Sequence, residues 1–283
     1  MKQKLKICSM RHLCIRLRLN EDFLKKVASN ISNEYKFFCK KSKSGKVRKL
    51  YTCSQKLKKI NRAILKTLLN VIKIDNAAHG WCKNRSTKTY AHPHCHRKVL
   101  FSLDLKDCFP SISSKQIRAL FQNDLGCSPE VSTLLTRLTT ADYHLPQGFP
   151  TSGALLNIFL RCLDSKIYHF CNKHGIIYSR YGDDMAFSGQ NIPLEARIDI
   201  EKIIENHGLK INKNKRKYST GQGRQEIVGL NTAGRRLKVP RKKKKILRSL
   251  QHSLIRNPLT KDEQESKINQ ITGLESYISY IET

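Results

Sequence analysis

Three aspartates carry the first chemical suggestion in this sequence. Asp104 ends an alternating apolar segment, and Asp183 and Asp184 are adjacent in Tyr181–Gly182–Asp183–Asp184, with an apolar run on either side. Nucleotidyl transfer uses two divalent ions. One lowers the pKa of the attacking hydroxyl, and the other stabilises the departing pyrophosphate. Such hard cations take oxygen ligands, so carboxylates must converge from separate strands. An Asp-Asp pair in a turn says little alone, because turns favour aspartate. The flanking strands and the upstream acid make the pair informative. With both acids at the tip of a two-residue turn, one carboxylate would face the metals and the other would support it.

The surrounding pattern predicts the elements that position these acids. Residues 34–51 read as strand, turn and strand, with Gly45 in the turn. Leu57, Ile60, Ile64, Leu68 and Ile72 have helical spacing. Residues 98–106 alternate as a strand, with Val99, Phe101, Leu103 and Leu105 on one face and Leu100, Ser102 and Asp104 on the other. Ser113 and Gln116 form a capping box ahead of one helix, and Ser128–Pro129 opens another. A long helix from about Ser152 stops at Gly175, and residues 176–189 form the hairpin that bears Asp183 and Asp184. A helix ending at Gly208, short strands over 209–232 and two closing helices complete the chain. This order predicts an α+β architecture with an antiparallel sheet.

Composition points to the partner. The 283 residues include 54 Lys plus Arg against 22 Asp plus Glu, a formal net charge of +32. That excess repels itself unless an anion binds, and nucleic acid is the commonest such partner. A merely solvated charged surface and an anionic membrane surface are the alternatives. No run of about 18 apolar residues is present to span a bilayer, so no membrane partner is expected. Nine of the fourteen residues from Arg235 to Arg248 are Lys or Arg and none is acidic. Because like charges repel without counter-charge, Arg241, Lys242, Lys243, Lys244 and Lys245 read as a phosphate-binding helix rather than a passive face. Ten scattered cysteines without a CxxC spacing indicate reduced thiols and a cytosolic setting. The basic first twenty residues read as an amphipathic helix, not a cleaved leader.

Taken in order, SLDLKDCF at 102–109, LPQGFPTSGALLN at 145–157 and YGDD at 181–184 resemble the palm of a reverse transcriptase, and the bacterial retron type in particular. RKLY at 48–51, AHGWCKNRS at 78–86, TYAHPH at 89–94, GLKINKNK at 208–215 and IVGL at 227–230 extend the resemblance over nearly the whole chain. It implies a right-hand fold: a basic N-terminal helical segment over 1–33, fingers over 34–97, a palm over 98–232 and a small basic helical thumb over 233–283. It implies two Mg2+ ions, with Mn2+ as a substitute, on Asp104, Asp183, Asp184 and the Leu105 carbonyl. Arg48, the amides of Asp107 and Cys108, Phe109, Gln147 and Lys215 would contact the nucleotide. Gly148 would pack under it by close backbone approach, Phe109 would exclude a 2′-hydroxyl, and Lys215 would protonate pyrophosphate. His94 and Gly229 would touch nucleic acid together with the basic run.

The resemblance further implies dNTP substrates and a dedicated structured noncoding RNA as template and primer. Single-stranded DNA would be primed from an RNA 2′-hydroxyl, in a bacterial cytoplasmic antiphage system with a separate effector protein. Other readings of the same residues are a non-retron bacterial reverse transcriptase, of intron-maturase or other defence type, and an inactive RNA-binding scaffold. His92, His94 and His96 would share one face of an extended segment, but no second ligand cluster completes a zinc site. RNA contact or packing is the expected role there.

Overall fold

The computed structural model describes residues 4–41, 45, 47–221, 223, 225–256 and 260–283. Two short helices, α1 (Met10–Leu17) and α2 (Glu21–Ser29), replace the single N-terminal helix expected from sequence. Arg18 turns left-handed after the first (φ +54), and the Asn20 side chain caps the second by accepting from the Asp22 amide. Strands β1 (Tyr35–Lys41) and β2 (Val47–Cys53) pair antiparallel, from Tyr35 opposite Cys53 to Lys41 opposite Val47. Helix α3 (Gln55–Ile64) starts at the Ser54 cap and widens into a π turn over Leu65–Leu69.

After α4 (Thr87–Ala91), β3 (Val99–Asp104) enters the central sheet. Ser113 and Gln116 form the expected capping box of α5 (Ser114–Ala119), and Ser128 caps α6 (Pro129–Thr139). The long helix α7 (Ser152–Lys173) leads into β4 (Ile177–Tyr181) and β5 (Asp184–Gly189). Then follow α8 (Leu194–Glu205), β6 (Lys217–Thr220), β7 (Glu226–Ile227), β8 (Leu230–Asn231), α9 (Arg241–Arg256) and α10 (Lys261–Glu282). Lys213–Lys215 forms one tight 3-10 turn, not the strand expected there.

The sheet runs β4-β5-β3-β6, every neighbour antiparallel. Alternation along β3 gives it two environments. Val99, Phe101 and Leu103 join the main core, to which α7 contributes Leu155, Leu156, Leu160, Leu163 and Ile167. Burying each such side chain stabilises the fold by about 1.5–3 kcal/mol. Leu100 faces the other way, into a smaller cluster with Tyr90, Ala186, Ile227, Leu230 and Ile281. That second cluster fastens α4, the β7–β8 hairpin and the end of α10 to the open face of the sheet, so a cleft forms there. No helix among the described residues is long and apolar enough to cross a membrane.

Candidate active site

The β3–β5 register brings the aspartates together, because Asp104 at the end of β3 pairs with Asp184 at the start of β5. Gly182 and Asp183 form the turn between β4 and β5, with Gly182 in the left-handed region (φ +67) that glycine adopts freely. The expectation that Asp183 and Asp184 share the tip is therefore corrected, since Asp184 already pairs with Tyr181. The Asp183 carbonyl accepts from the Leu105 amide at 3.0 Å, tying the turn to the residue after β3. Asp104 is buried; Lys215 Nζ lies 2.7 Å from its Oδ1, and Asn212 Nδ2 donates to its Oδ2 at 3.1 Å.

Burial and then mutual repulsion raise the neighbouring carboxyls. Asp183 is shifted upward chiefly by desolvation, with the Asp104 charge adding to it. Asp184 rises to about 6 by desolvation, reinforced by Asp183 and Asp104. The positive charges of Lys215 and Arg48 act against both shifts. Three acids are thus crowded together beside Lys215, an arrangement that favours cation binding. Among the described residues no three His, Cys, Asp or Glu side chains are closed into a metal cage, and Lys215 holds Asp104 Oδ1. In kind, the oxygen donors fit a hard divalent ion.

A cavity of about 530 Å³ adjoins these groups. It is lined by Asp104, Asp184 and Lys215 together with Tyr90, Ser102, Lys217, Ser219, Val228 and Gly229. Gly229 arrives there because Val228 and Gly229, both at positive φ, turn β7 into β8. The sequence from 39 to 254 matches the profile of the family described as reverse transcriptase (RNA-dependent DNA polymerase). This chain belongs to that family.

The chain is 30% identical over 267 residues to the Retron Mx65 reverse transcriptase of Myxococcus xanthus, covering 87% of this chain and 61% of that protein. It is 28% identical over 246 residues to the Retron Ec86 reverse transcriptase of Escherichia coli, covering 86% and 75%. For the Retron Ec73 reverse transcriptase of Escherichia coli the identity is 30% over 258 residues, covering 84% and 79%. The chain therefore spans between three fifths and four fifths of the length of these relatives.

Within this reverse transcriptase fold the other residues expected at the site divide into groups. Arg48 is exposed on β2, with its charge felt at both Asp183 and Asp184. Asp107 has left-handed backbone (φ +48), Cys108 is buried, and buried Phe109 meets Trp81 edge-on at 5.7 Å. The Gln147 carbonyl accepts from the Tyr51 amide at 2.8 Å, and any side chain at Gly148 (φ +125) would strike the Tyr51 carbonyl. Gly148 is thus required by the approach of β2.

His94 is a second correction. Its imidazole is fully buried, with Nδ1 2.7 Å from Ser188 Oγ and Nε2 2.6 Å from Ser179 Oγ. Desolvation lowers its pKa to about 3, so the ring is neutral and has no face for RNA. Its segment, His92–His94, is a 3-10 turn, which also removes the shared face expected of His92, His94 and His96. In the basic run, Arg241, Lys242 and Lys245 are exposed, whereas Lys243 lies 4.1 Å over the Tyr277 ring and Lys244 pairs with Glu282 at 2.8 Å.

Sequence reasoning missed the groups that hold the turn bearing Asp183. Arg180 and Asp164 are both fully buried and joined by two contacts, Nη2–Oδ2 at 2.6 Å and Nε–Oδ1 at 2.8 Å. Arg180 Nη1 also donates to the Gly182 carbonyl at 2.9 Å, and the Tyr178 hydroxyl donates to Asp164 at 2.7 Å. A lone arginine in a strand gives no sign of this.

Proposed function

We propose that the chain is an RNA-directed DNA polymerase of the retron type. The observation that carries this reading is the placement of Asp104 opposite Asp184, with Asp183 in the adjoining turn, beside a cleft in a strongly basic protein. In the reaction, the oxygen of a primer hydroxyl attacks the α-phosphorus of a dNTP. The bond to the bridging oxygen breaks, pyrophosphate leaves with that bond's electron pair, and the hydroxyl proton passes to solvent water. Asp104, Asp183, Asp184 and the Leu105 carbonyl would hold two divalent ions, Mg2+ or Mn2+, which supply Lewis acidity at the attacking and leaving oxygens. Lys215, paired here with Asp104, would give a proton to the leaving pyrophosphate. Arg48 and the Asp107 and Cys108 amides would receive the triphosphate. Phe109 would close the space beside C2′ of the sugar, and Gln147 would line the same pocket.

In right-hand terms, residues 34–97 would be fingers, 98–232 palm and 233–283 thumb, with 1–33 a basic helical addition. The names of the relatives support the retron assignment. On that reading a dedicated noncoding RNA would be template and primer in the bacterial cytoplasm, and an antiphage role with a separate effector would go with it. Priming from an RNA 2′-hydroxyl asks for no new chemistry, since a 2′-hydroxyl can take the place of a 3′-hydroxyl at the same ions. The test is to express the chain with its flanking noncoding DNA and to analyse the nucleic acid on denaturing gels. DNA joined to RNA, shortened by ribonuclease and shifted again by a debranching enzyme, is the expected product. DNA with a plain 5′ phosphate would remove the retron part of the reading, and absence of any DNA would remove the polymerase.

A further inference from the structure

The chain has a single tryptophan, Trp81, and its setting is unusual in three respects. Its backbone is left-handed (φ +54), a conformation bulky residues avoid. The residue is 56% exposed. Its ring lies against the turn that carries Asp183: a Cβ at Gly182 would sit 3.1 Å from the far edge of the indole. Tyr181 stacks on the ring at 6.4 Å between centroids, and Phe109 meets it edge-on.

Room for the indole is made by a second glycine from a different element. Any side chain at Gly153, in the first turn of α7, would collide with the ring, including Cδ1 at 2.8 Å. The strained segment is pinned on both sides. Asn157 Nδ2 donates to the Gly80 carbonyl at 2.6 Å, and the His79 amide to the Arg180 carbonyl at 2.7 Å. Arg85 Nη1 reaches the Asp75 carbonyl at 2.7 Å and the Ala78 carbonyl at 2.5 Å. Strained backbone held this firmly is characteristic of functional sites.

We propose that the exposed part of the Trp81 ring packs on the terminal base pair of an RNA template–primer duplex bound at the aspartates. An aromatic plane recognises bases through their π faces, whatever the sequence, while cations hold the phosphates. Contact with Gly182 and Phe109 puts the indole at the reacting end of the duplex, not along its length. An uncharged ring suits bases and not a triphosphate. The proposal rests on the polymerase reading and names the part of the substrate that this corner of the site grips.

Because no other tryptophan is present, emission excited on the red edge, where tyrosine does not absorb, reports on this position alone. The experiment titrates an RNA template annealed to a fluorescently labelled DNA primer, following label anisotropy and tryptophan emission together. Emission should fall in parallel with binding, and dNTP without duplex should leave it unchanged. Trp81→Leu should weaken duplex binding about tenfold, with Trp81→Phe recovering most of the loss. Constant emission while anisotropy saturates would overturn the assignment and leave the polymerase standing, as would quenching by dNTP alone. Failure of the duplex to bind at all would overturn both.

Discussion

Asp104, Asp183 and Asp184 are forced close together by the sheet register, and the protonation of Asp183 and Asp184 bears the strain. Asp184 has a folded-state pKa of about 6 against an ordinary 3.8. Below the lower value the carboxyl is neutral in both folded and unfolded chains, and the fold keeps its full stability. As pH rises toward 6 the unfolded chain ionises freely while the folded one resists, so stability falls across that interval. Asp183 shifts in the same direction and adds to the fall. With a chelator present, Asp184→Asn should therefore melt higher than the parent above pH 6 and close to it near pH 4. Superimposed melting curves at both pH values would show that the crowding is harmless. These aspartates were legible because strand ends and a turn between apolar runs are visible in sequence. Trp81 and the Arg180–Asp164 pair were not, since burial and partner are decided by how α7 lies against β4. His94 misled because the resemblance placed it against nucleic acid, whereas its segment tightens into a 3-10 turn that buries the ring between Ser179 and Ser188.

At the scale of elements, the basic run on α9 serves two purposes. Lys244 and Lys243 fasten α9 to Glu282 and Tyr277 of α10, and the Val239 amide also donates to Glu282, at 2.9 Å. Lys242 and Lys245 line a cavity of about 820 Å³ together with Lys238, Arg241 and Arg248. Replacing Lys242 and Lys245 together by Gln should lower the slope of log affinity for RNA against log salt by roughly 1.4–1.8, about 0.7–0.9 for each phosphate contact. An unchanged slope would mark both as solvated. The caps of α5, α6 and the glycine stop after α7 could be read directly, because those signals are local. The split between α1 and α2 could also have been read from Asn20 followed by Glu21 and Asp22, a capping signal that the surrounding basic residues obscured. The turn at Lys213–Lys215 could not, since it is set by Asn212 reaching back to Asp104.

The whole molecule carries +32 charges around one small acidic centre. On the proposed reading its surface would hold a polyanion with little help from the aspartates, whereas bond formation would depend on them. Binding and catalysis should therefore separate. The most direct measurement compares Asp183→Asn with the parent on one RNA template and DNA primer, reading primer extension with dNTPs and duplex binding from the same preparations. The account predicts that extension is lost while affinity changes less than about threefold, a difference under 1 kcal/mol. Extension by the variant at the parent's rate would contradict the assignment of this site.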